Sequence, residues 1–131
     1  MHELTLKTTQ RRQMIDVTAM VAKVVADCNV QDGAILAYVP HTTAGITINE
    51  NADPDVVHDI LLTLEELIPH RRAGYLHQEG NSDAHVQASL MGSSVQVLIQ
   101  RSQLYLGTWQ GIYLWEQRTA SHQRRVTITV Q

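Results

Sequence analysis

Phenylalanine is absent from this 131-residue chain, and aromatic residues of all kinds make up only 5% of it. Core volume therefore has to come from Leu, Ile, Val and Met, with four Tyr and two Trp. Cys28 is the only cysteine, which excludes an internal disulfide and suits a reducing cytoplasm. Lys and Arg number 10 against 13 Asp and Glu, for a formal net charge of -3, and they form no basic block. A nucleic-acid partner is therefore not expected. The pairs Arg11-Arg12, Arg71-Arg72 and Arg124-Arg125 read as solvated ends of elements. No stretch approaches the ~20 apolar residues of a membrane span, and Met1-His2-Glu3-Leu4-Thr5-Leu6-Lys7 has no signal-peptide core. The expectation is a cytoplasmic protein with no membrane partner. Proline is scarce, and Pro40, Pro54 and Pro69 each stand at the edge of an element. Internal repeats and linkers are lacking too. At 44% hydrophobic, the chain suits one globular domain over 1–131.

The apolar residues fall into clear periods. His2 to Thr9 alternates, with Leu4 and Leu6 on one side, and reads as a strand. Gln13 to Asp16 reads as a short second strand. Asp16 can cap a helix in which Val17, Met20, Val21, Val24, Val25 and Cys28 recur at helical spacing. Ala34 to Val39 is apolar on both faces and so is expected to be covered on both. Ile46 to Asn49 reads as a returning strand. Asp53, Pro54 and Asp55 then open a helix whose buried face is Val56, Val57, Ile60, Leu61, Leu64 and Leu67. A third helix is expected from about Asp83 to Met91, with Gly92 in its C-terminal cap. Strands follow over 95–100, 104–106, 112–118 and 124–130. About seven strands and three helices make an α+β domain with segregated layers.

Two polar stretches carry the chemistry. The first runs from His41 through Thr42, Asn49, Glu50 and Asn51 to Asp53 and Asp55; the second from His77 through Glu79, Asn81 and Asp83 to His85. Structural loops need only Gly, Ser and Pro, so this density of imidazole, carboxylate and carboxamide points to a site. His41, His77 and His85, with carboxylates nearby, suit a divalent cation, Zn²⁺ or Mg²⁺, with a position left for water or substrate. Their spacing matches no short zinc signature, and His77 as a loop residue with His85 as a helix residue is the plainer alternative. Glu50 and Glu79 are the candidate acid–base carboxylates, with His41 beside them. Asp53 is more simply a helix cap. Asn81-Ser82-Asp83 reads as a cap as well, or as backbone N–H groups offered to a phosphate. Trp109 and Gln110, between Gly107 and Gly111, suit either stacking on a planar ring or core packing, and the glycines suggest a bulge or a close backbone approach. Trp115 reads as core, and Glu116 is a stray acid on an apolar strand.

With these residues in view, the chain resembles the YjbQ-like family, small proteins known as secondary thiamine-phosphate synthases. The resemblance covers about Leu4 to Val130. It rests on His41-Thr42-Thr43, Asn49 to Asp55, His77 to His85, Ser89-Leu90 and Leu106 to Gly111. It implies a β-sandwich with helices packed on one side, assembled as a homotrimer. It implies a single pocket in which His41, His77 and His85 hold a metal or an anion. Glu50, Asn51, Asp53, Glu79, Asn81, Asp83, Trp109 and Gln110 would line that pocket. One departure stands out: members often carry a Gly-Pro-Arg turn after the strand glutamate, and here Glu116 is followed by Gln117-Arg118-Thr119-Ala120-Ser121. Arg124 is the nearest stand-in for that arginine.

The activity the resemblance implies joins a hydroxymethylpyrimidine pyrophosphate to a thiazole phosphate. That transfer needs stabilisation of departing pyrophosphate, and no cationic clamp is evident in the sequence. A metal-dependent hydrolase or phosphatase acting on a small phosphorylated substrate suits the same residues. So does a non-catalytic protein that binds a metabolite or a metal.

Overall fold

A computed structural model describes residues 1–117 and 122–131, and these hold eight strands and three helices. The turn expected to depart from Gly-Pro-Arg, and the end of the strand placed at Arg118, fall on residues outside this description. Strands β1 (His2–Lys7), β3 (Asp32–Tyr38), β5 (Ser94–Gln100), β6 (Gln103–Leu104) and β8 (Gln123–Val130) form one sheet in the order β1-β8-β3-β5-β6. Strands β2 (Arg12–Asp16), β7 (Gln110–Gln117) and β4 (Ala44–Glu50) form the other, in the order β2-β7-β4. Every pairing is antiparallel. The α+β sandwich expected from the sequence is the fold observed.

Alternation along the strands explains where the core sits. Ile35 and Ala37 of β3, Val97 and Ile99 of β5, and Val126 and Ile128 of β8 point inward from the large sheet. Ala44 and Ile46 of β4, with Ile112 and Leu114 of β7, meet them from the small sheet. Val17 and the buried stripe Val21, Val24 and Val25 of α1 (Thr18–Asp27) pack into the same cluster. With no Phe available, β-branched residues fill this interior, which suits their preference for pleated surfaces. Asp16 does cap α1, from one position before the N-cap: its Oδ1 accepts the Thr18 N–H at 2.9 Å.

The outer face of the small sheet carries Tyr113 and Trp115, and α3 (Ser82–Met91) lies against it. Small residues let this helix come close. Ala84 and Ala88 are buried, and a Cβ on Gly45 would stand 2.8 Å from the Gly92 carbonyl oxygen and 2.9 Å from Met91 Cβ. The Ile46 N–H donates to that same Gly92 oxygen at 3.0 Å, which pins the end of α3 to β4. Gly92 sits at φ 89°, a conformation that favours glycine.

Helix α2 (Pro54–Leu67) starts as expected, with Asp53 Oδ1 accepting the Asp55 N–H at 2.9 Å. Its apolar face corrects the sequence reading. No residue of α2 is buried, and Leu67 is 69% exposed. The physical reason is that α2 is fastened at a few polar points rather than packed over. Arg12 Nη1 donates to the Leu61 carbonyl, and Gln87 Nε2 to those of Leu64 and Ile68.

Candidate functional site

The site begins where the small sheet's strand β4 leaves the core. Glu116 of β7 has the same parity as Ile112 and Leu114 and therefore points inward, where it meets Arg124 of β8. The guanidinium grips both carboxylate oxygens, Nη2 to Oε1 at 2.6 Å and Nε to Oε2. Nη2 also donates to Thr43 Oγ1 at 2.9 Å. A cross-sheet ion pair thus holds the His41-Thr42-Thr43 corner. Arg124 is 4% exposed and committed to these partners, so it is not the solvated end expected from the sequence. His41 Nε2 accepts the Arg125 backbone N–H at 3.0 Å, which requires a neutral ring with its proton on Nδ1. Burial pushes the His41 pKa down, and the positive charges of Arg124 and Arg125 add to this against the opposing Glu116.

Helix α3 and the loop before it form the second wall. Asp83, expected to line the pocket or cap the helix, is 2% exposed and takes Arg11 Nη2 at 2.8 Å and the His70 ring at 3.2 Å. It ties the β1–β2 turn and the loop after α2 to the start of α3. Asn81 occupies the N-cap position but makes no capping bond with its side chain. Its Nδ2 donates to Glu79 Oε2 at 2.6 Å, while Oδ1, buried with a residue exposure of 4%, has no hydrogen-bond partner among the described residues.

Between the walls runs a groove of adjoining cavities. The central one, about 300 Å³, is lined by Thr42, Thr43, His77, Glu79, Asn81 and His85. On one side, Thr42 and His85 also line a cavity of about 510 Å³ with His41, Ala88 and Ser89. On the other, His77 opens a cavity of about 460 Å³ that includes His70, Arg71, Arg72 and Ser82. The structure therefore brings His41, Thr42, His77, Glu79, Asn81 and His85 together.

It does not bring the rest. Asn49, Glu50 and Asn51 lie at the far end of β4, six residue steps from Ala44, about 20 Å along an extended strand. Trp109 and Gln110 are there too: Gln110 pairs with Glu50 in register, and the Asn51 N–H donates to the Trp109 carbonyl at 2.9 Å. The single three-walled pocket expected from the sequence is two separated regions. At the far end the amides have structural partners. Asn49 Oδ1 accepts the Glu50 N–H, Asn51 Nδ2 donates to Asp16 Oδ2, and the Asn51 side chain occupies the space a Gly111 Cβ would need. Gly111 thus provides the close approach its sequence context suggested. Burial would raise the Asp16 pKa, but hydrogen bonds from Thr18 and Asn51 outweigh it and hold the carboxyl below its usual value. Burial raises the Tyr113 pKa, with Asp16 and Glu50 adding to it.

A three-imidazole metal centre does not fit these residues. Among the described residues, no three His, Cys, Asp or Glu side chains are grouped to hold an ion. His77 and His85 meet edge to face, with ring centroids 5.4 Å apart and planes at 89°, and His41 has its Nε2 lone pair engaged by Arg125.

The family assignment follows from the whole chain. Residues 2–131 match the model of the family described as UPF0047 protein YjbQ-like. The chain belongs to the UPF0047 family. YugU of Bacillus subtilis is 49% identical over 113 residues, covering 86% of each chain, and a UPF0047 protein of Methanocaldococcus jannaschii is 49% identical over 111 residues, 85% of this chain and 80% of that one. A crystal structure of a YjbQ/UPF0047 protein from Clostridium acetobutylicum superposes with a TM-score of 0.96 at 50% identity over 100% of both chains. A Sulfolobus solfataricus structure does so at 0.92 and 27%, over 98% of this chain and 94% of that one. The Clostridium protein is described as uncharacterized and the Sulfolobus one as of unknown function. The thiamine-phosphate synthesis expected from the resemblance is thereby corrected: UPF0047 membership brings the fold and does not support that activity. No helix among the described residues of this UPF0047 chain is long and apolar enough to cross a membrane.

Sequence reasoning missed or under-read several participants in the UPF0047 site. Arg71 and Arg72, exposed after the end of α2 as expected, also line a cavity. Glu116 and Arg124 form the clasp, and the signal was present: an acid and a base, each at an inward-facing position of its strand. Gly45 was overlooked because nothing in its neighbourhood marks it as the landing point of α3.

Proposed function

We propose that the groove along Thr42, His77, Glu79, Asn81 and His85 binds a small polar metabolite that donates a hydrogen bond to Glu79. The observation that carries this reading is that this carboxylate, His77 and His85 line one cavity of about 300 Å³. Asn81 Nδ2 donates to Glu79 Oε2 at 2.6 Å, so the start of α3 positions the carboxylate. The carboxylate favours an amine or another donor with positive charge. Glu79, His77 and His85 are also the groups that would hold or move a proton on a bound ligand.

Ethanolamine, titrated into the ¹⁵N-labelled protein and followed by NMR, tests the reading. Saturable shifts at Asn81, Glu79 and His85, abolished in Asn81→Leu, support it. Uniform or absent shifts reject it.

We also propose that the chain works in the cytoplasm as a homotrimer. The assembly is supported by α2, whose residues Val56, Ile60 and Leu64 border an uncovered cavity of about 350 Å³. The free thiol of Cys28 supports the compartment. Sedimentation equilibrium checks the assembly, and a monomer would end that part of the reading.

A further inference from the structure

We propose that the cavity at the His77 end of the groove is an anion subsite built on Arg71 and Arg72, and that the ligand of the groove carries a phosphate there. The inference deepens the donor-binding reading above and rests on it for the other end of the ligand. Arg11, Arg12, Arg124 and Arg125 each face a carboxylate. Arg71 and Arg72 face none among the described residues, yet both line one concave space of about 460 Å³ with His70, Tyr75, His77 and Ser82. Two adjacent arginines bordering one concavity raise its local positive potential. Each presents a planar fork that matches a phosphate bidentately. His70 is anchored by its hydrogen bond with the buried Asp83, which is also bonded to Arg11, so this wall is fixed to α3 rather than loose.

The groove is therefore bipolar. Arginines stand on one side of His77, and on the other is the acceptor Glu79. A molecule with an anionic phosphate at one end and an amine or hydroxyl donor at the other matches both ends at once. A ligand with only one of these groups leaves half of the groove unmatched.

Three probes separate the ends: inorganic phosphate, ethanolamine and O-phosphoethanolamine, each titrated by NMR. We expect O-phosphoethanolamine to bind at least about tenfold more tightly than ethanolamine. The double variant R71Q/R72Q removes that advantage without weakening ethanolamine binding, while R71K/R72K, which keeps the charge without the fork, falls between. Equal affinity for the two amines, or phosphate binding that ignores R71Q/R72Q, overturns the anion subsite. Arginine-dependent phosphate binding with no ethanolamine binding keeps the subsite and removes the donor reading instead. Both arginines are exposed, so loss of the fold does not confuse the result.

Discussion

Arg124 and Glu116 meet from opposite sheets inside the sandwich, with 4% and 0% of their side chains exposed, and together they hold the threonine pair that borders the groove. A buried pair of this kind is costly to break and cheap to replace as a unit. Removing one partner typically costs about 3–5 kcal/mol because the other charge stays buried and unpaired. Glu116→Leu should therefore lose about that much stability in urea denaturation. The double variant E116L/R124M should regain most of it, while weakening ethanolamine binding through the released Thr43. A double variant as unstable as the single would show that the pair itself is not the cause.

Gly45→Ala places a methyl against the Gly92 carbonyl and Met91 Cβ. The clash involves backbone on one side, so α3 has to shift. A loss of about 1–3 kcal/mol is expected, together with NMR shifts along α3 and the wall that carries His85. Wild-type stability and an unmoved α3 would mean that the contact relaxes without cost.

The pH dependence of stability follows from His41. Its folded pKa is depressed below the ordinary value of about 6.5, chiefly by burial and then by Arg124 and Arg125. The unfolded chain therefore binds the proton more readily than the fold does. This contribution is fully present above about pH 6.5 and is lost as the pH falls below it. Denaturation midpoints should drop on acidification, and His41→Gln, which keeps an acceptor for the Arg125 N–H, should flatten the profile in this window. An NMR titration of the His41 ring at or above its ordinary value would contradict the assignment.

Glu50→Gln should leave ethanolamine binding in the groove unchanged, because Glu50 lies at the other end of β4. Glu79→Gln should weaken it, since that carboxylate lines the central cavity. Equal losses in the two variants would place Glu50 at the same site.

The two tryptophans should report separately. Trp115 is fully buried and Trp109 is 62% exposed. In Trp109→Tyr the remaining emission should be blue-shifted and shielded from acrylamide, whereas Trp115→Tyr should leave a red-shifted, quenchable signal and a destabilised fold.

Element types were legible because periodicity reports which face meets water. The alternation of Val126, Ile128 and Val130, and the helical stripe Val21, Val24 and Val25, needed no tertiary information. The polar stretches were legible as density, and part of each proved to be joined in the groove: His41 and Thr42 with His77, Glu79, Asn81 and His85. The α2 stripe misled because amphipathic spacing says which face is apolar, never whether another layer covers it.

By itself, then, the sequence determined the α+β class, the α1 core stripe, the caps at Asp16 and Asp53, and, through its family resemblance, the sandwich and membership of UPF0047. Only the tertiary structure decided that Glu50 and His41 stand at opposite ends of one strand, and that Glu116 and Arg124 meet across two sheets. It also decided that Asn81 turns its amide to Glu79 instead of capping its helix, and that Arg71 and Arg72 border the same groove. Local patterns encode faces and turns, which depend on neighbours a few residues away. Which charge finds which partner depends on how distant strands register, and that is settled only when the sheets close on their core.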